Sequence, residues 1–550
     1  MATTPQNTSL AGVLAAADPE GDGLAFSIVS PVSHGTLALT DPSTGEYTYQ
    51  PAMGFTGVDS FSYRVADAGG ASAAASQTLF VTAASPHWPG QTVRVSVHSD
   101  GREATVVGNE SMYPTMSADG RFVAFRSGAP LVPEDSNGAS DVFVHDRATG
   151  SVSRVSIATG GQQGNHNSST AEISADGRFV AFGAAASNLV ADDTNGAEDV
   201  FVHDRVSGET RRVSVATDGT QGNGGSFHAT ISADGRRVAF ASSASNLVQN
   251  DTNNTVDVFV HDLVDQSTVR VSAGGSDESN GPSAWPALDG AGRRVVFESS
   301  ASNLVAGDTN GQRDIFAYDL DTGVTRRVSV TSSGAQGNNF SLWTKISADG
   351  GYVVFASQAS NLVAGDTNGS LDIFRHDLAS GATTRINVTA DGTPANLSSS
   401  YSAASADGRF IAFASSASNL VTGDTNNQQD VFVKDTLTGE LRRVSVASDG
   451  TQADGTQLLL SISDDGRFVA FESPATTLVP GDTNNIYDTF VVGGVHVDAA
   501  AMSFGRQGGS ASVNVLFAYP GTIWGTSSGA PWATATGGAN GNGTATIAVA

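Results

Sequence analysis

The stretch S-A-D-G-R-F-V-A-F at residues 174–182, followed by D-T-N-G-A-E-D-V-F-V-H-D at 193–204 and R-R-V-S-V at 211–215, decides the fold of this chain. Close copies of it recur along the sequence. The Asp that opens D-T-N-G, or its variants D-S-N-G and D-T-N-N, returns every 57 or 58 residues, at Asp135, Asp193, Asp251, Asp308, Asp366, Asp424 and Asp482. A regular spacing of this length indicates a repeat architecture.

Each repeat predicts four short strands. Residues 178–182 and 199–203 are apolar runs, and residues 211–215 alternate with period two. A further strand near residues 170–174 precedes an Asp-Gly pair that suits a tight hairpin. Four-stranded units in a ring form a β-propeller, so we expect seven blades within residues 88–494.

Ring closure is expected at the first strand of this region. The last repeat ends after its third strand, and T-V-R-V-S-V at residues 92–97 matches the strand that it lacks. Pairing the two would remove an exposed sheet edge.

Two flanking segments differ in their sequence pattern from the repeats. The N-terminal one, residues 1–85, contains D-P-E-G-D-G-L at 18–24 and F-T-G-V-D-S-F-S-Y at 55–63. The C-terminal one, residues 495–550, contains G-G-S-A-S-V-N-V at 508–515. Alternating aromatic residues in the first segment suit the core of a β-sandwich. The predicted fold class is therefore all-β: a seven-bladed propeller between an N-terminal Ig-like sandwich and a partial C-terminal sandwich.

Three resemblances accompany this interpretation. The repeat resembles the TolB-like, WD40-like propeller repeat called PD40, over roughly residues 88–494. Residues 1–85 resemble the bacterial cadherin-like, Ig-like domain of large surface adhesins, and residues 495–550 resemble a BACON-type sandwich. These resemblances imply a platform that binds ligands or assembly partners, and for the BACON-type domain a carbohydrate-binding role.

Composition limits the functional classes. Fifty-five acidic against 28 basic residues give a formal charge of −27, which repels phosphate backbones, so we expect no nucleic-acid partner. The chain has no Cys, so disulfides and thiolate metal sites are excluded. We find neither an apolar run of spanning length nor an N-terminal signal peptide, and we expect a piece of a longer exported protein.

One position at the end of each inter-blade loop, just before the innermost strand, predicts a ligand site. Aromatic or imidazole side chains occupy it in five repeats, with Thr170 and Leu459 in the other two. Its residues are Tyr113, His228, Trp285, Trp343 and Tyr401. Flat side chains at a funnel mouth suit a carbohydrate or a protein or peptide ligand, although they would equally well fill gaps between blades.

Calcium is the cofactor that two groups of residues suggest. In the D-T-N-G-x-x-D loop, Asp193, Asn195 and Asp199 supply hard oxygen ligands. The same residues also suit a hydrogen-bonded turn, with Gly196 in a left-handed conformation and Asp199 accepting the amides of the loop. The lack of an acid at the fifth position favours the turn. In the N-terminal segment, Asp18, Glu20 and Asp22 leave calcium and a plain surface loop open.

Taken together, these features predict a non-enzymatic, secreted or cell-surface bacterial protein with a role in binding or display. Two alternatives stay open: a propeller enzyme of polysaccharide lyase or glycosidase type, and a periplasmic assembly partner like TolB. An enzyme would need carboxylates that break the repeat, and the candidates are Glu103 and the pair Asp277 and Glu278.

Overall fold

The computed structural model describes residues 2–5, 9–14, 16, 23–52, 57–67, 72–82, 91–104, 110–275 and 277–493, and in the C-terminal segment 496–497, 509–516, 523–525, 533–536, 538–540 and 543–549. Every regular element in these ranges is a β-strand, which confirms the all-β class. Within them, no helix is long and apolar enough to cross a membrane. The chain divides into two compact units, Trp88–Gly494 and Met1–His87 with Val495–Ala550. The three domain boundaries expected from the sequence stay predictions.

The N-terminal segment folds into two sheets. Its strands are β1 (Ala2–Pro5), β2 (Leu10–Val13), β3 (Ala25–Ser30), β4 (Gly35–Asp41), β5 (Glu46–Pro51), β6 (Gly57–Ala66) and β7 (Ser72–Thr82). The sheet orders are β1-β7-β6-β3 and β2-β5-β4. Tyr47, Tyr49, Phe61 and Tyr63 are buried together, so the predicted aromatic core lies between strands of both sheets.

The repeats form seven four-stranded sheets within the described part of Trp88–Gly494, which we number as blades 1 to 7. The strands of this unit are β8 (Thr92–Arg94); blade 1, β9 (Ser111–Met116), β10 (Phe122–Ser127), β11 (Asp141–Asp146), β12 (Ser151–Arg154); blade 2, β13 (Ser168–Ile173), β14 (Phe179–Ala184), β15 (Asp199–Asp204), β16 (Glu209–Arg212); blade 3, β17 (Ser226–Ile231), β18 (Arg237–Ser242), β19 (Asp257–Asp262), β20 (Ser267–Arg270); a short hairpin, β21 (Ala273–Gly274), β22 (Asp277–Glu278); blade 4, β23 (Ser283–Leu288), β24 (Arg294–Ser299), β25 (Asp314–Asp319), β26 (Val324–Arg327); blade 5, β27 (Ser341–Ile346), β28 (Tyr352–Ser357), β29 (Asp372–Asp377), β30 (Thr383–Arg385); blade 6, β31 (Ser399–Ala404), β32 (Phe410–Ser415), β33 (Asp430–Asp435), β34 (Leu441–Arg443); and blade 7, β35 (Leu460–Ile462), β36 (Phe468–Ser473), β37 (Asp488–Gly493), completed by β8.

The two middle strands of each blade carry continuous apolar runs because both of their faces are buried. In blade 2, Phe182 and Phe201 stand opposite each other with ring centroids 5.9 Å apart, and both are fully buried. Residues of blade 1 pack on one side of this pair and complete the same apolar cluster. Neighbouring blades therefore share their cores.

The ring closes at two levels. Strand β8 pairs antiparallel with β37, and Val93 stands opposite Val491. At the turn after each innermost strand, a backbone N–H donates to a carbonyl of the next blade, as from Ala118 to Ala175 at 2.9 Å. The series returns to its start when the Asp464 N–H donates to the Ala118 carbonyl at 2.9 Å. We call this closed series the turn ring. It ties the first blade to the last independently of β8.

The C-terminal segment contains β38 (His496–Val497), β39 (Gly509–Leu516), β40 (Ile523–Gly525), β41 (Ala533–Thr536), β42 (Gly538–Asn540) and β43 (Gly543–Val549). These strands form two sheets, of order β38-β39-β43-β41 and β40-β42. The resemblance to a BACON-type domain is not tested by this arrangement.

Candidate functional site

The innermost strands of all seven blades line a central cavity of about 270 Å³. One end lies at the turn ring, where Ala118, Ala175 and Asp464 are among the lining residues. The other end lies where the innermost strands begin. On that face the loop before β13 is fastened to the loop after β14, since the Asn165 N–H donates to Asn188 Oδ1 at 2.9 Å. The loops between blades and the D-T-N-G loops therefore share the face at which the cavity opens.

The five residues predicted to ring the mouth all line this cavity, and we call them the aromatic collar: Tyr113, His228, Trp285, Trp343 and Tyr401. Each has a positive φ, between 38° and 59°. This conformation is uncommon for residues with a side chain and costs on the order of 1 kcal/mol. It coincides with a register shift in all five innermost strands. A bulge of this kind re-aims a side chain, here toward the cavity.

Collar residues contact each other in pairs across blade boundaries, one pair stacked and the other tilted. His228 and Trp285 are stacked with ring centroids 3.7 Å apart, and Trp343 and Tyr401 lie 4.4 Å apart. Burial lowers the pKa of His228 to about 4, so its imidazole is neutral at pH 7. Trp285 stays 36% exposed. An indole held by a neighbour and still open to solvent is a surface on which a ligand can stack.

Two buried glutamates hold collar residues in place, and sequence reasoning missed them. Glu298 accepts the Trp343 N–H at 2.6 Å, and Glu472 accepts the Tyr113 N–H at 2.9 Å. Both stand where most repeats have Ala or Gly, so the signal was F-E-S in place of F-A-S in the second strand. Burial raises the pKa of Glu472 to about 7 and also raises that of Glu298.

An ion pair crosses the cavity below the collar. Lys345 of blade 5 lies two residues beyond Trp343, and its Nζ is 3.5 Å from Glu172 Oε2 of blade 2. Side-chain exposures of 40% and 28% leave both groups accessible. Asp289 and Asp464 are the other carboxylates among the described lining residues, and burial raises the pKa of each.

The calcium candidates of the propeller face an arginine. In blade 2, Arg212 Nη1 lies 3.5 Å from Asp193 and 3.7 Å from Asp199. Asn195 donates through Nδ2 to Asp199 at 3.0 Å, and its Oδ1 accepts the Ala197 N–H at 2.9 Å. Gly196 has a φ of 64°, as the turn interpretation expects.

One detail of that interpretation was wrong. Side-chain donors, rather than the amides of the loop, satisfy Asp199: its carboxylate accepts from Ser214 Oγ at 2.6 Å and from Gln221 Nε2 at 3.0 Å. A guanidinium supplies the positive charge that calcium would bring. The same grouping of one Arg between two Asp, with distances of 3.0 to 3.8 Å, recurs around Arg94, Arg154, Arg270, Arg327, Arg385 and Arg443.

The carboxylates considered for catalysis serve these loops. Glu103 accepts the Thr483 N–H at 2.9 Å, and Glu278 accepts the Thr252 N–H at 2.7 Å. Gln221 and Gln336 occupy the equivalent position in blades 2 and 4 and accept the same kind of amide. Asp277 is the first residue of strand β22 and stands opposite Gly274 of strand β21. Asp18, Glu20 and Asp22 lie outside the described residues.

A family model for the bacterial cadherin-like domain matches residues 1–85, which confirms that resemblance for the N-terminal segment. No curated protein matches the chain significantly. Similar solved structures include a putative TolB from Agrobacterium tumefaciens, 14% identical with a TM-score of 0.33, covering 62% of this chain and 93% of its own.

Two further similar structures are named as enzymes. A puromycin-hydrolyzing peptidase of Mycobacterium tuberculosis is 13% identical with a TM-score of 0.41, covering 71% of this chain and 53% of its own. The periplasmic gluconolactonase PpgL of Pseudomonas aeruginosa is 16% identical with a TM-score of 0.32, covering 77% of this chain and 97% of its own. Scores this low carry no argument about function, and the propeller assignment depends on the sheets described above. The chain is thus an all-β protein with a bacterial cadherin-like domain and a propeller.

Proposed function

We propose that this chain is part of an extracellular bacterial binding protein whose propeller takes a sugar residue of a glycan into its central cavity. The observation that carries the proposal is the aromatic collar: five residues held at positive φ by bulged strands around one cavity. Strained residues cluster where a side-chain direction serves a function rather than stability. The cadherin-like match of residues 1–85 supports an extracellular setting and a role in adhesion.

A non-catalytic role is consistent with how the carboxylates are used. Glu103 and Glu278 accept loop amides, and Glu298 and Glu472 accept amides of the collar. A cavity of about 270 Å³ matches one sugar ring with its hydration better than a long chain segment. The stacked indoles offer flat apolar faces beside polar groups of the rim.

A parallel screen of glycans and peptides tests the proposal, with the full chain compared to Trp285→Ala and Trp343→Ala. We expect each substitution to weaken binding about tenfold or more, as loss of an aromatic anchor does at binding hot spots. Leu397→Ala is the matched control, because Leu397 is half exposed on the loop before β31 and does not line the cavity. Unchanged binding in folded tryptophan variants would rule out the collar, and binding of peptides alone would rule out the glycan.

A further inference from the structure

The charges inside the cavity bear on which ligand it accepts. Among the described lining residues Lys345 is the one cationic side chain, and it is one of the two lysines of the chain. Three carboxylates share the lining with it: Glu172, Asp289 and Asp464. His228 is neutral at pH 7 because burial lowers its pKa to about 4. Apart from Lys345 and the neutral His228, these ionisable acid–base groups are therefore all carboxyl groups, so the lining is acidic.

The ion pair between Lys345 and Glu172 breaks the repeat at both of its ends. At the same position the other blades carry Thr115, Thr230, Ala287, Ala403 and Ser461. The blades that carry the pair lie nearly opposite each other, yet Nζ and Oε2 are 3.5 Å apart. Both side chains are partly exposed, at 40% and 28%, so water solvates both partners and the pair contributes little to stability. A different cation can therefore replace Lys345 at small cost.

We propose that the cavity selects an amino sugar, whose ammonium group displaces Lys345 from Glu172 while the sugar ring stacks on the aromatic collar. This inference rests on the proposed glycan-binding function and names its ligand class. Lys345 acts as a tethered substitute for the ligand's cation when the cavity is empty.

Three independent observations favour a cationic over an anionic ligand. Glu172 already accepts an ammonium group in this structure. The faces of Trp285, Trp343 and the two collar tyrosines attract cations through their ring quadrupoles. The formal charge of −27 on the chain attracts cations and repels anions.

The test measures binding of a glucosamine tetramer and of its fully N-acetylated analogue to the full chain, by tryptophan fluorescence and calorimetry. The two probes share one sugar backbone, and acetylation both removes the charge of each amine and adds an acetyl group. We expect the free amine to bind at least about tenfold more tightly than the acetylated form, since a charged hydrogen bond is lost on acetylation. Glu172→Gln should remove this preference. Lys345→Met should strengthen binding of the amine about two- to fivefold, because the competing cation is gone.

A surface pair offers matched controls with the same changes in net charge. Glu209 and Arg211 form an exposed ion pair at 2.7 Å on β16, away from the cavity. Glu209→Gln and Arg211→Met should leave both affinities unchanged, so effects confined to the cavity variants are local.

The outcomes separate this inference from the proposed function. Equal binding of both tetramers leaves the glycan site standing and overturns the charge selectivity. The charge selectivity is also overturned if a glucuronate tetramer binds and Lys345→Met abolishes that binding, because Lys345 would then be the anchor for an anion. Binding of a lysine-containing peptide alone overturns the sugar assignment. Failure of every glycan, neutral or charged, refutes the proposed function itself.

Discussion

Replacing Arg212 by Met should destabilise the propeller far more than replacing its neighbour Arg211. The Arg212 side chain is 10% exposed and lies between Asp193 and Asp199, which are 4% and 0% exposed. Methionine keeps the aliphatic volume and removes the charge, so two buried carboxylates lose their shared cation. Breaking a buried ion pair in this way costs about 3–5 kcal/mol. Arg211, by contrast, is 54% exposed and pairs with Glu209, a surface interaction worth roughly 0–1 kcal/mol.

The loss should depend on pH with a defined sign. Burial raises the pKa of Asp199 in the folded state, so its proton stabilises the fold at low pH, and this contribution is lost as pH rises through the folded-state pKa. Without Arg212, which lowers it, the folded-state pKa of Asp199 rises further. For each unit by which such a pKa exceeds the solution pH, protonation of the carboxylate recovers about 1.4 kcal/mol of the folding stability. The stability lost in Arg212→Met should therefore be smaller at about pH 5 than at about pH 8.

Urea unfolding of wild type, Arg212→Met and Arg211→Met at these two pH values measures the loss of stability in each variant and its pH dependence. The double variant Arg212→Met with Asp193→Asn should recover part of the loss at the higher pH, because one of the two uncompensated charges is removed. Equal stability of the two single variants, or a larger loss at the lower pH, would show that Arg212 does not serve as the counter-ion of the loop.

Three further outcomes are expected. Val93→Pro removes a backbone donor from β8, so urea unfolding should show a loss of about 3 kcal/mol or more, whereas Val93→Ala should cost less; equal effects would mean that the pairing with β37 does little to close the ring. Chelation of calcium should lower the melting temperature of the N-terminal segment, through Asp18, Glu20 and Asp22, and leave the propeller unchanged; a propeller shift abolished by Asp193→Ala would contradict the arginine-filled loop. Glu298→Ala leaves the Trp343 N–H without its acceptor, so calorimetric melting should show a loss of about 1–3 kcal/mol and tryptophan fluorescence should change.

The repeat made most of the propeller predictable from sequence. A spacing of 57 or 58 residues with two apolar runs in each unit leaves few arrangements that bury both faces of the middle strands. The pairing of residues 92–97 with the last blade was also predictable, because the alternative is an open sheet edge. The turn ring was not, since it is built of backbone groups, mostly on Ala and Gly residues, and the side chains play no part in it.

Side-chain partners that lie far apart in the sequence were the hardest to predict. The loop residues Asp193 and Asp199 suggested calcium ligands. The Arg that neutralises them stands 19 and 13 residues further along, respectively, in a strand whose sequence shows plain period-two alternation. Glu172 and Lys345 are 173 residues apart, and the ring brings them together from nearly opposite blades. No local pattern contains such a pair, although each of its members breaks the repeat and was visible for that reason.

Departures from the repeat therefore carry more functional information than the repeat itself. Positions that are the same in every blade, such as the Asp–Arg–Asp groups, satisfy charges and amides that each blade creates by folding. Glu103 and Glu278 meet the same need, because they accept the loop amide that Gln221 and Gln336 accept in other blades. A charged residue with no such counterpart in the other blades answers no general need of the fold. Glu172, Lys345, Glu298 and Glu472 are of this kind, and each either lines the central cavity or holds a collar residue that does. Their convergence on one cavity, from blades 2, 4, 5 and 7, supports the proposed binding site over the gap that any ring of seven blades leaves at its centre.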